Sequence, residues 1–174
     1  TFLDTDDLAA PHCVAQRLGV MEKNPGLDFA ILPALQFRET PGDLGRWWNV
    51  DKPQEDELAR QFKQDAICQG TGPVFTREAF DRAGRWSESL SLWQDIDLFF
   101  TLYIWGFRYA KFFHLEPDIH IRELATSLSR SDFHARHKYV SRIEVVQRAV
   151  QTLRECGMPG RIHEASHMTA ELVT

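Results

Sequence analysis

Two clusters of carboxylates carry the chemistry most readily read from this chain. Asp4, Asp6 and Asp7 fall within "FLDTDD", and Asp95 and Asp97 fall within "WQDIDLFF". Three acids so close together repel one another, and their loop needs water or a cation to offset the repulsion. Hard cations such as Mg²⁺ and Mn²⁺ take oxygen ligands, and Mg²⁺ in particular uses one or two carboxylates together with substrate phosphates. The alternative is a solvated acidic turn, with Asp7 as the N-cap of the helix that follows. Asp95 and Asp97 lie two positions apart near the start of a helix, so they point to nearly opposite sides and only one faces a given cleft. One of them is a candidate general base; either also serves simply to complement the positive helix N-terminus. Between the clusters, Gly70 and Gly72 flank Thr71 in "QGTGPVF". That spacing suits a backbone that approaches a ligand closely or turns sharply before a strand.

The elements that must position these residues alternate between strand and helix. "TFL" reads as the end of a strand and "DTDD" as the loop beyond it. A helix is expected over "PHCVAQRLGVMEKNPG", started near Pro11 and stopped at Pro25-Gly26. "DFAILPALQF" is a strand that Pro33 either breaks or confines to an edge. A loop containing Trp47 and Trp48 leads to a short helix in "QEDELARQF". "TGPVF" is a strand, and "REAFDRAG" a helix capped by Thr76 and closed by Gly84. The best-defined helix, "SLWQDIDLFFTLYIWG", carries a capping box of Ser91 and Gln94 and a glycine stop at Gly106. "FRYAKFF" and "DIHI" are strands. After Asp132 a long helix is expected, with Tyr139, Ile143, Val146, Val150 and Leu153 as its apolar seam, followed by a short helix in "RIHEASHMTAEL". This order predicts an α/β architecture with a C-terminal helical appendage.

Composition narrows the function classes. A formal charge of −5 argues against a nucleic-acid binder, which would present a basic face. Cys13, Cys68 and Cys156 are odd in number and widely spaced, which fits reduced thiols in a cytoplasmic protein. No apolar run is long enough for a membrane span.

Taken in order, these pieces resemble the inverting nucleotide-sugar glycosyltransferases known as family 2, which have the GT-A fold. The family's "FLDxDD" is matched by Phe2, Leu3, Asp4, Asp6 and Asp7. Its "TG…F.R.A…G.F.E.L" stretch is matched by "TGPVFTREAFDRAGRWSESL", and its acidic pair followed by "xDL" by Gln94, Asp95, Ile96, Asp97 and Leu98. A "G-aromatic-R/K" strand and an "R…S-x-S-R" tail are matched by "GFRY" and by Arg122 to Arg130. The resemblance implies a partial GT-A fold in which residues 1–130 form the metal and acceptor half of a catalytic domain and 131–174 a helical extension. It implies that Asp4, Asp6 and Asp7 hold Mn²⁺ or Mg²⁺ on the donor's diphosphate and that Asp95 is the general base. Donor and acceptor contacts are then expected from Gly70, Thr71, Gly72, Trp93, Gln94, Arg122, Ser127 and Ser129.

The implied substrates are a nucleotide-sugar donor and a saccharide or lipid-linked acceptor. In the family, a βαβ half that binds the nucleotide base precedes "FLDxDD". This chain is therefore expected to be the later portion of a longer protein, with weak or no turnover alone. Gln94 replaces the family's commoner Glu. A histidine that completes the metal site in some relatives aligns here with Leu124; His120 is four residues earlier and is not assigned to the metal.

Two further readings compete with this one. "HEASH" is an H-E-x-x-H motif, in which His163 and His167, one α-helical turn apart, would bind zinc with Glu164 as base. It lacks a third ligand from a separate element, since Glu171 lies one turn further along the same helix. A non-catalytic saccharide-binding or interaction module is the other alternative. The basic residues spread over the long C-terminal helix form a solvated face, with peripheral contact at the inner face of an anionic membrane as the lesser option.

Overall fold

A computed structural model describes residues 1–124 and 135–170. In chain order the elements are β1 (Leu8–Ala9), α1 (Cys13–Lys23), β2 (Phe29–Ile31), β3 (Ala34–Phe37), β4 (Arg46–Trp47), α2 (Glu57–Phe62), β5 (Pro73–Phe75) and α3 (Arg77–Arg82). They continue with α4 (Gln94–Ile104), β6 (Tyr109–Lys111), β7 (Ile119–Arg122), α5 (Arg136–Glu155), a 3₁₀ helix (Pro159–Ala165) and α6 (Ser166–Ala170). The architecture is α/β, with mixed sheets and flanking helices.

The described residues fall into two compact units whose segments interleave along the chain. The first takes 1–52, 67–80 and 107–124; the second takes 53–66, 81–106 and 135–170.

In the first unit Pro33, which has no N–H to give a ladder, separates β2 from β3, and the two strands join different sheets. One sheet runs β5-β2-β6, with β2 antiparallel to β5 and parallel to β6. The fully apolar run Phe29–Ile31 is central there and completely buried. The other sheet runs β1-β7-β3-β4, with β7 and β3 parallel in the middle. Helix α1 supplies Val20 to a core with Ala30 and Leu32, and Cys13 to another with Ala34 and Ile119.

Helix α1 also carries Arg17 into the interior, only 2% exposed. Its guanidinium makes a two-pronged ion pair with Asp118 at 2.7 and 2.8 Å. The same side chain donates to the carbonyls of Thr71 at 2.9 Å and Pro73 at 3.2 Å and to the Thr1 hydroxyl. One buried cation thus ties the N-terminus, α1, the 71–73 turn and the approach to β7.

The second unit is helical. Leu58 and Phe62 of α2, Phe100 and Ile104 of α4, and Val145, Val146, Ala149 and Leu153 of α5 share one core with Leu90, Ala165 and Met168. Asp56 caps α2 by accepting from the Leu58 N–H at 3.0 Å, and its carboxylate also meets Arg161. Thr76 caps α3 through the Ala79 N–H at 3.0 Å, and Gly84 and Gly106 take positive φ of 92° and 69° just beyond α3 and α4.

Several expectations are corrected. Thr1–Leu3 is not strand; the short strand forms later, at Leu8–Ala9, where a β7 partner is in register. The Thr1 hydroxyl instead donates to the Pro73 carbonyl at 2.8 Å, and Phe2 packs on Phe75 and Phe80. Asp7 caps no helix, since α1 begins at Cys13 with His12 in the cap position.

The Ser91/Gln94 capping box does not form either. Trp93, at φ 66°, is the residue before α4, while the Ser91 hydroxyl bonds Ser141 and the Gln94 amide donates to the Leu90 carbonyl at 2.7 Å. Of the expected α5 seam, Val146 and Leu153 are buried in the helical core and Val150 packs against it, but Tyr139 and Ile143 are only half-buried; Ser141, Arg142, Val145 and Ala149 turn inward as well. Trp47 lies in the short strand β4 rather than in loop.

Candidate functional site

The acidic loop is shaped by its own backbone and by three distant stretches of the first unit. The Asp7 N–H donates to the Asp4 carbonyl at 3.1 Å, closing a turn over Thr5 and Asp6. Pairing of Leu8 with His120 and of Ala9 with Ile119 then sets Asp7 beside the end of β7. There the Arg122 N–H donates to Asp7 Oδ1 at 2.9 Å, across 115 residues of sequence. The Thr71 hydroxyl reaches Asp7 Oδ2 at 3.5 Å, across 64 residues.

The Arg122 side chain folds back over the same loop. Its Nε donates to the Asp6 carbonyl at 3.0 Å and Nη1 to the Arg38 carbonyl at 2.8 Å, while its guanidinium carbon lies 4.3 Å from the centre of the Phe37 ring. That cation–π contact follows from the β3–β7 register, in which Phe37 and Arg122 are partners.

Thr71 is fully buried, its carbonyl taken by Arg17 and its backbone and hydroxyl held by the Gln69 amide. Gly72 follows because nothing larger fits: a Cβ there would lie 2.8 Å from the Cys68 Cβ. The close approach is therefore to the chain's own turn. Gly70 is half-buried in the turn that leads into Thr71.

Electrostatically the loop is uncomfortable as it stands. Burial pushes the Asp7 carboxyl up to about 6; the Arg122 N–H offsets part of this, Asp4 and Asp6 push it further, and Thr71 lowers it slightly. Asp4, more exposed than Asp7, is raised by partial desolvation and then by Asp6. Buried carboxylate beside more carboxylate favours a proton or a cation, and oxygen donors of this kind suit Mg²⁺ or Mn²⁺. Among the described residues no three His, Cys, Asp or Glu side chains converge as a ready-made metal cage. A cation shared with a diphosphate needs only one or two protein carboxylates.

The remaining expected site residues lie in the second unit or outside the described residues. Asp95 is in the first turn of α4, half-buried, with Oδ1 accepting from the Ile96 N–H at 2.9 Å. Asp97 points away from it into an ion pair with Arg148 at 3.1 Å, and its carboxyl is raised by burial in spite of that pair. Trp93 packs against the helical core with the Arg142 guanidinium 6.0 Å from its ring centre. Ser127 and Ser129 lie outside the described residues.

Sequence reasoning found Thr71 and Arg122 but missed Arg17 and Asp118, the buried pair that holds the Thr71 carbonyl from behind. Arg17 and Asp118 were legible only as an arginine on an otherwise apolar helix face and an aspartate before a strand.

The H-E-x-x-H geometry is not that of one α-helix. His163 and Glu164 lie in the 3₁₀ helix and His167 in α6. Glu164 is engaged by Arg161 through two bonds of 2.8 Å, and the His163 Nδ1 is 2.8 Å from the Gly160 carbonyl. Among the described residues no helix is long and apolar enough to cross a membrane. Compared with known protein families, curated proteins and solved structures, the chain matches none.

Proposed function

We propose that this chain carries the metal and general-base portions of an inverting, GT-A-type glycosyltransferase acting on a nucleotide-sugar donor. The observation that supports this best is the meeting of Asp6, Asp7, Thr71 and Arg122, taken from three separate stretches of sequence, around one raised carboxyl. A packing role alone would favour a neutral residue at Asp7, because an uncompensated buried carboxylate is costly.

In this reading the Asp4–Asp7 loop would hold Mn²⁺ or Mg²⁺ with the donor's diphosphate, and the bound cation would supply charge neutralisation to the leaving group. Arg122 and Thr71 fix the loop, so that its carboxylates keep their positions when a donor arrives. Asp95 takes the proton of an acceptor hydroxyl as that oxygen attacks the anomeric carbon; the bond to the diphosphate breaks on the opposite face, and the centre inverts. A well-placed base contributes roughly 10²–10⁴ in rate. Gln94 and Trp93 flank the base on the acceptor side. The acceptor is a saccharide or a lipid-linked sugar, with any membrane contact peripheral.

The test, run at protein concentrations high enough to register weak turnover, is release of nucleoside diphosphate from a panel of nucleotide sugars with Mn²⁺ and saccharide acceptors. Asp95→Asn is expected to lower acceptor-dependent release by about 10² or more while leaving Mn²⁺-dependent diphosphate binding intact. Equal release by the variant, or release indifferent to Mn²⁺, would overturn the proposal.

A further inference from the structure

An open groove of about 550 Å³ lies along the second unit, lined by residues that the proposed chemistry does not use. Its size is that of a small-ligand site. Helix α4 contributes Asp97, Thr101 and its C-cap residue Trp105, which recur at intervals of four and so form one stripe, on the side away from Asp95. Helix α5 contributes Gln147, Arg148, Gln151 and Thr152, and Ala83, Gly84, Arg85 and Ser87 close one end.

The lining decides the kind of ligand. Trp105 is 53% exposed although it is the largest apolar side chain in the groove, so about half of an indole borders the opening. Around it stand amides and hydroxyls; Thr101 and Thr152 donate to the Asp97 and Arg148 carbonyls at 3.3 and 2.8 Å and the Gln151 amide donates to Glu155 at 2.7 Å, so these three offer their oxygens as acceptors. Arg148 is already neutralised. Its Nη1 serves Asp97 and the Ser87 hydroxyl at 3.1 Å each, and its Nη2 serves Glu144 and the Ser89 hydroxyl at 2.5 and 3.0 Å. Arg85, at the closed end, is paired with Asp81 at 2.8 Å. A phosphate or carboxylate would have to displace these carboxylates and gains little.

A ligand with an apolar face and a rim of hydroxyls meets the lining as it is. Its C–H face covers the indole while its hydroxyls donate to the oxygens of Thr101, Thr152, Gln151 and the carboxylate edge of Asp97. We infer that this groove binds a neutral pyranose unit of a saccharide, at a site separate from the proposed base. The inference holds whether or not the chain transfers sugar, since it uses neither the acidic loop nor Asp95. Asp97 then has a defined task, which is to hold Arg148 flat along the groove.

The experiment is direct binding of cellobiose, maltose and chitobiose to the 174-residue chain, without any nucleotide or metal. Saturation-transfer NMR and tryptophan fluorescence are the readouts. At least one disaccharide is expected to bind saturably in the millimolar range. Trp105→Ala is expected to weaken it about tenfold or more, Trp105→Phe to retain most of it, and Gln151→Ala to weaken it severalfold. Should Trp105→Ala fail to fold, the exposed Gln151 decides by itself. Absence of binding by all three sugars, binding untouched by Gln151→Ala, or displacement of bound sugar by inorganic phosphate would overturn the inference. None of these outcomes bears on Asp95→Asn in the transfer assay, so the two readings fail separately.

Discussion

Asp7 is the residue on which the site turns. Its carboxyl is raised from the ordinary aspartate range to about 6, chiefly by burial. In the unfolded chain it ionises near 3.9, so between these values the folded state holds the proton and the unfolded state does not. Stability from this group therefore falls as pH rises from about 4 to about 6, and the penalty is complete above that. Asp7→Asn keeps an oxygen for the Arg122 N–H and removes the penalty. The variant is expected to melt several degrees above the parent at pH 7.5, with the gap closing as pH falls to 4. Equal melting temperatures at pH 7.5, without added metal, would mean that the carboxylate is better compensated than its surroundings indicate. Sequence showed the three acids but not which one faces inward, because that choice is made by β1–β7 pairing and by Thr71 and Arg122, far away in the chain.

At the scale of elements, local signals held where local chemistry suffices. Pro33 separated two strands, Thr76 capped α3, and Gly84 and Gly106 ended their helices, because each acts through its own backbone or nearest neighbours. The capping box failed because Ser91 has a competing partner, Ser141, that no local rule contains. The α5 seam widened: Val146, Val150 and Leu153 stay with the helical core as expected, while Lys138 and Arg142, read as solvated, are themselves buried alongside Val145 and Ala149.

Two substitutions test this scale. Gln64 follows the last turn of α2 with φ 57°, the left-handed conformation that glycine occupies without a side-chain clash. Gln64→Gly is expected to leave chemical stability unchanged or to raise it by about 0.5–1 kcal/mol, read by urea denaturation. A clear loss would point to side-chain contacts that outweigh the backbone gain. Asp118→Ala strands the Arg17 guanidinium in the interior and is expected to cost about 3–5 kcal/mol. A loss under 1 kcal/mol would show that the carbonyls of Thr71 and Pro73 satisfy Arg17 by themselves.

For the whole molecule, the α/β class was legible because strand and helix periodicities alternate along the chain. The interleaved units were not, since segments such as 53–66 and 81–106 give no compositional break to mark where they leave one unit for the other. The acidic loop lies in the first unit and Asp95 in the second. Each of the two can be tested by itself. The acidic loop is the more direct of the two, because its claim is simple: carboxylates strained by burial and mutual repulsion take a divalent cation together with a diphosphate. Titration of Mn²⁺ into the chain, followed by electron paramagnetic resonance with and without inorganic pyrophosphate, measures this. The account predicts one Mn²⁺ bound more tightly when pyrophosphate is present, with the effect lost in Asp6→Ala and in Asp7→Asn. Mn²⁺ binding that ignores pyrophosphate, or that persists in both variants, would contradict it.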